Sequence, residues 1–171
     1  MNVATVTKPK SLAAAQPDRS VMEGDDELTI IGAPREVLRS ALTALSEGRV
    51  WEVMERFDDR FTFNDHALTL EFTDKLRLTE FFEKSRELFP DAILELVSLF
   101  ESGDHAFAEW KLAATQTMPY GSQSYLFPIS LRGSTIIGVE NGKIVQWSDY
   151  YDENTSRRVG LAGLFTEWFE Y

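Results

Sequence analysis

Apolar residues recur at helical spacing in the first half of this chain and at strand spacing in the second. Val37, Leu38, Ala41, Leu42 and Leu45 mark one face of a helix that Pro34 opens and Gly48 stops. Val50, Trp51, Val53, Met54 and Phe57 predict a second, shorter helix. Phe61 to His66 alternates like a strand, and Leu68 to Phe72 reads as another short one. Asp74 is placed to cap a helix carrying Leu76, Leu78, Phe81, Phe82 and Leu88, which Pro90 ends.

From Ile93 onward the period is two. Strands are expected at Ile93 to Phe100 and at His105 to Thr117, either side of a Ser102-Gly103-Asp104 turn. Ser124 to Val139 reads as a third strand, bent or bulged near Pro128 or Gly133. Asn141-Gly142 is the strongest hairpin signal in the chain, because a type I′ turn needs positive φ at both central residues. It leads into a fourth strand. Helices first and long antiparallel strands after them form an α+β pattern. The expected fold is a cone: a curved antiparallel sheet wrapped around the N-terminal helices and packed on the helix at 74–88, with one open end for a small ligand.

The faces of two strands raise a chemical question. Phe61, Phe63 and Asp65 share one face of the first strand, with Thr62, Asn64 and His66 opposite. In the last strand Val145, Trp147, Asp149 and Tyr151 share a face. Asp65 and Asp149 are thus in register with aromatic neighbours. A carboxylate on an apolar face is costly to ionise, so its pKa rises toward the range an acid-base catalyst needs. The plainer alternatives are an Asp149 that caps the next turn and an Asp65 that begins one with His66. Between Gly103 and Gly133, Ala106, Ala108, Trp110, Leu112 and Ala114 share a face suited to a pocket wall or to a core. Tyr150 and Tyr151 carry hydroxyls that can donate to an oxyanion or simply be satisfied in the core.

Composition narrows the classes. The 171 residues suffice for one domain with a core, and 12 Phe, 5 Tyr and 4 Trp make its interior aromatic. A net charge of −11 argues against phosphate-driven nucleic-acid binding and against anionic membrane surfaces. There is no cysteine, and there are only two histidines, His66 and His105, so neither thiolate chemistry nor a multi-histidine metal site is expected. No Gly-x-Gly-x-x-Gly, Walker loop or Gly-x-Ser-x-Gly occurs, so no nucleotide cofactor is expected. No apolar run reaches the ~18 residues of a membrane span. Residues 1–30 read as a flexible tail, given Pro9, Pro17 and the polar Glu23-Gly24-Asp25-Asp26-Glu27 patch. Lys8, Lys10 and Arg19 give the tail a faint transit-peptide character, but the default location is cytoplasmic. The domain then spans 31–171, with short helical or irregular pieces after 153.

Two segments carry a resemblance. Leu42 to His66 (LTALSEGRVWEVMERFDDRFTFNDH) and Gly138 to Asp152 (GVENGKIVQWSDYYD) resemble the opening helices and closing hairpin of the nuclear transport factor two-like superfamily. That group includes SnoaL-like polyketide cyclases, ketosteroid isomerases and limonene-epoxide hydrolases, and the resemblance covers roughly residues 34–155. It implies the cystatin-like cone. It also implies that Asp65 stands near the place of the isomerase general base, and that Asp149 matches a strand-end aspartate of the epoxide hydrolases. Asn64 lies near their water-positioning asparagine. Their Arg-x-Asp pair on a middle strand corresponds here to Trp110 and Leu112, which disfavours epoxide hydrolysis. The expected function is cofactor-free acid-base catalysis of the cyclase, isomerase or dehydratase type on a small hydrophobic molecule. Asp149 and Asp65 would be catalytic, and Asn64, Phe63, His66, Trp110, Trp147 and Tyr151 would contact substrate. The alternative is a non-catalytic ligand-binding or protein-interaction domain. A homodimer is expected through the outer sheet face, where Phe107 sits among charged residues.

Overall fold

A computed structural model describes residues 32–120 and 123–152. The expected tail at 1–30 and the pieces after 153 lie outside the described residues. The chain begins with helix α1 (Pro34–Ser46) and helix α2 (Val50–Arg56). Strands β1 (Phe57–Asp65) and β2 (Leu70–Phe72) and helix α3 (Lys75–Leu88) follow. The rest is sheet: β3 (Ile93–Ser102), β4 (His105–Tyr120), β5 (Gln123–Glu140) and β6 (Lys143–Tyr151).

Local chemistry explains the boundaries. Pro34 stands at the start of α1, where a missing N–H costs nothing. Asp74 caps α3 by accepting from the Arg77 N–H at 3.0 Å. Asn141 and Gly142 both have positive φ, 51° and 75°, as a type I′ hairpin requires.

The six strands form one sheet in the order β2-β1-β6-β5-β4-β3. β3 to β6 make the expected antiparallel meander, and β4 pairs with β5 from His105/Gly138 to Tyr120/Gln123. One pair corrects the all-antiparallel expectation: β1 runs parallel to β6. Alternation along a strand fixes its faces but not its direction. Parallel neighbours need a long crossover, and here the whole segment from β2 to β5 supplies it. The fold is therefore an α+β cone with a mixed sheet.

The inner face and the helices enclose an aromatic core. Trp147 is 1% exposed and stacks on Phe57 and Phe63, with ring centroids 5.8 and 6.0 Å apart. Phe81 and Phe82 of α3 meet Phe63 at 5.9 and 5.6 Å. α1 closes the core with Val37, Leu38, Ala41, Leu42 and Ala44.

A bulge corrects the reading of β6. Gly138 pairs with Gln146, but Val139 pairs with Ile144, so the register slips at Val145. Ile144 turns inward with Trp147, and Val145 leaves the face of Asp149. Two residues opposite one is the usual result of a bulge, and it adds twist to the sheet.

This packing makes an unequal pair of truncations. Phe63→Ala should cost about 3–5 kcal/mol, because Phe63 is fully buried among rings that cannot collapse onto the gap. Leu76→Ala, at a site on α3 that is 68% exposed, should change stability by less than about 0.5 kcal/mol. Denaturant titration of both variants measures the difference.

Candidate active site

Parallel pairing of β1 with β6 puts Asp65 and Asp149 directly side by side as Cα partners. Both strands reach this level with their apolar side chains turned inward, Phe63 beside Trp147 one step earlier. The two carboxylates follow on the same inner face and line a cavity of about 300 Å³. Tyr151 lies two residues beyond Asp149 and lines it too. Trp110 and Leu112 from β4 and Leu131 from β5 supply apolar wall. On the helical side, exposed Arg86 also lines the cavity, its Nη1 donating to the Gly48 carbonyl at 2.6 Å. Gly48 has φ +70°, and a Cβ there would stand 2.4 Å from the Arg86 guanidinium.

Each carboxylate has its own hydrogen bonds. Asp65 Oδ1 accepts from the Leu68 N–H and Oδ2 from the Tyr151 hydroxyl, both at 2.9 Å. Asp149 Oδ1 accepts from the Thr135 hydroxyl at 2.5 Å. Thr135 in turn accepts from Trp110 Nε1 at 2.9 Å.

Burial dominates the electrostatics. It pushes the Asp149 carboxyl up to about 7, helped by the negative charge of Asp65 and opposed by the Thr135 hydroxyl and the Trp147 indole. The indole acts as a nearby dipole, since Trp147 Nε1 makes no well-formed hydrogen bond. Burial also raises Asp65, against the pull of its Leu68 and Tyr151 donors. Burial first, and then the Asp65 charge, hold the Tyr151 phenol well above its usual range. The negative charge of Asp65 helps keep the proton on Asp149.

The structure divides the sequence candidates. It brings Asp65, Asp149, Trp110 and Tyr151 together around the cavity. Phe63 and Trp147 do not line it: at 0% and 1% exposure they are the packed core beneath it. Alternation gave them the inner face but not their depth. Asn64 and His66 stand on the outer face, where the His66 ring stacks on Tyr150 at 4.4 Å, so neither contacts the cavity. His105 pairs with Asp104 at the turn. Sequence reasoning missed Thr135 and Arg86. Inward register with Asp149 would have found Thr135; Arg86 carries no signal beyond a charged helical position. Among the described residues there is no cluster of three or more His, Asp or Glu side chains that could hold a metal. No helix among them is long and apolar enough to cross a membrane.

A family model for the SnoaL-like domain matches residues 38–147. The chain belongs to the SnoaL-like domain family. Among curated proteins none matches this SnoaL-like chain. Solved structures do. An NTF2-like protein from Burkholderia thailandensis is 14% identical with a TM-score of 0.63, covering 74% of this chain and 96% of that one. A protein with a ketosteroid isomerase-like fold from Catenulispora acidiphila is 17% identical with a TM-score of 0.59, covering 70% and 87%. An LEH-like epoxide hydrolase of M. tuberculosis is 14% identical with a TM-score of 0.58, covering 79% and 94%. At such identities the likeness is one of fold.

The raised carboxyl has a signature in stability. Between about pH 4 and about pH 7 the folded SnoaL-like domain keeps a proton on Asp149 that the unfolded chain has lost. The favourable neutral state is fully present below the unfolded value, and stability falls as pH rises through this window, by up to ~1.4 kcal/mol per unit from this group. Asp149→Asn should flatten that slope and be more stable than the parent at pH 8. Denaturation midpoints from pH 4 to 8 measure it.

Proposed function

We propose that this SnoaL-like chain is a cofactor-free acid-base catalyst acting on a small, largely apolar carbonyl compound, by a cyclase, isomerase or dehydratase type of reaction. One observation carries the reading: two carboxylates paired side by side at the wall of an apolar cavity, one of them raised to about 7. Carboxyls whose environments hold them in different protonation states are suited to divide acid and base roles.

The substrate's carbonyl oxygen meets protonated Asp149, and its α-carbon meets the carboxylate of Asp65. Asp65 takes the carbon-bound proton while Asp149 gives its own to oxygen, which leaves the enol. Return of a proton at another carbon isomerises the substrate; attack of the enol carbon on a second carbonyl cyclises it. Asp149 is then the main acid-base group and Asp65 the second base. Trp110, Leu112 and Leu131 exclude water and hold the apolar body. The Tyr151 hydroxyl orients Asp65. Epoxide hydrolysis is less well supported, because the family resemblance sets Trp110 and Leu112 where the charged relay of the hydrolases would stand. The second reading is a non-catalytic binder of the same ligand class, favoured by the apolar lining and fully compatible with a carboxylate pair at the cavity wall.

Two wider expectations accompany this reading. The chain works in the cytoplasm, and it forms a homodimer through its outer sheet face, where Phe100 and Phe107 are 66% and 38% exposed and paired across β3 and β4. Sedimentation at micromolar concentration should give twice the chain mass; a monomer there removes the dimer.

Catalysis is tested by NMR of deuterium exchange α to the carbonyl in β,γ-unsaturated ketones and 1,3-dicarbonyl compounds. Protein should accelerate exchange for at least one probe, and Asp149→Asn should cut that rate about a hundredfold or more while folding normally. Quenching of Trp110 fluorescence by a probe without any exchange would favour the binder.

A further inference from the structure

Beside Asp149, across to the neighbouring strand β5, a short chain of hydrogen bonds has a fixed direction. Thr135 is 1% exposed, and it lies opposite Asp149 on β5. An indole nitrogen can only donate, so Trp110 Nε1–H gives its proton to Thr135 Oγ1. A hydroxyl has one proton of its own. Among the described residues the acceptor within reach of that proton is Asp149 Oδ1, 2.5 Å away. Trp110 is itself held in place. Its ring lies over Gly133, where a Cβ would come within 2.4 Å of the ring carbons, so a side chain there would push the indole off its line to Thr135. Gly133 is also the β5 residue paired with Trp110.

We propose that Thr135 is a positioning residue: oriented by Trp110, it commits Asp149 Oδ1 to accepting a hydrogen bond and thereby confines the exchangeable proton of that carboxyl to Oδ2. Without the Trp110 donor, Thr135 Oγ1 is free to rotate and to accept a proton from Oδ1 instead. The relay therefore selects which oxygen serves the cavity, and it favours the ionised form by supplying a donor to it. Asp65 shows the contrast, since both of its oxygens already accept, from Leu68 and Tyr151. The inference concerns the same site as the acid-base reading, but it describes where a proton sits and stands whether or not the site turns over a substrate.

The test follows the Asp149 carboxyl of the full chain by ¹³C NMR, with aspartate labelled at Cγ and the resonance assigned through its loss in Asp149→Asn. Thr135→Val keeps the shape and removes the hydroxyl. It should raise the Asp149 titration midpoint by about one pH unit, the size expected when a charged group loses one hydrogen bond. Thr135→Ser should restore the parent midpoint to within about 0.3 unit, which a change in packing or local polarity would not do. Trp110→Phe should also raise it, although Nε1 makes no hydrogen bond to Asp149. An unmoved midpoint in Thr135→Val, or a Thr135→Ser variant that behaves like Val, overturns the proposal. A Trp110→Phe variant with the parent midpoint overturns the role of Trp110. If Thr135→Val fails to fold, the Ser and Phe variants decide the matter: both must behave as stated.

Discussion

The parallel pairing of β1 with β6 is the constraint on which the site depends. Neither strand is unusual alone. Each ends an apolar inner face with an aspartate, and only their parallel register sets the two aspartates opposite each other as Cα partners. An antiparallel pair would place one carboxylate against the opposite end of its neighbour. The cost of bringing two carboxyls into one apolar wall is partly offset by keeping one of them neutral. The raised Asp149 carboxyl follows from the topology together with burial.

The rest of the molecule holds that pair in place. Phe63 and Trp147 form one packed step directly beneath it, braced by Phe81 and Phe82 from α3. This step is rigid because its rings are fully enclosed. Beyond it the sheet opens, and Trp110, Leu112 and Leu131 line empty space where side chains of the core would otherwise meet. Donors reach the carboxylates from three sides: Thr135 on β5, Tyr151 on β6 and the Leu68 backbone after β1. The same burial that raises the Asp149 carboxyl costs the fold stability at neutral pH.

Much of this was legible in the sequence. Helical and strand periods located each described element, although Phe57, expected in the second helix, opens β1, which ends before His66; the Asn141-Gly142 turn and the Asp74 cap stand where their chemistry requires. The inner faces of Asp65, Trp110, Asp149 and Tyr151 followed from alternation. Other features were hidden for physical reasons. Strand direction leaves no trace in alternation, so the parallel pair was not visible. The bulge at Val145 conserves the hydrophobic count while moving Ile144 inward. Depth is a tertiary property, which is why Phe63 and Trp147 read as pocket walls although they are core. Thr135 reads as an ordinary strand threonine until its two partners are known.

The central claim is that Asp65 and Asp149 form one coupled pair whose proton rests on Asp149. The most direct measurement is the carboxyl titration of Asp149 in the unmodified protein and in Asp65→Asn, followed by ¹³C NMR. The account predicts a midpoint near 7 in the parent. It predicts a lower midpoint in Asp65→Asn, still above the ordinary carboxylate value because burial is the larger cause. An Asp149 that titrates near 4 in the parent, or one indifferent to Asp65→Asn, would contradict it.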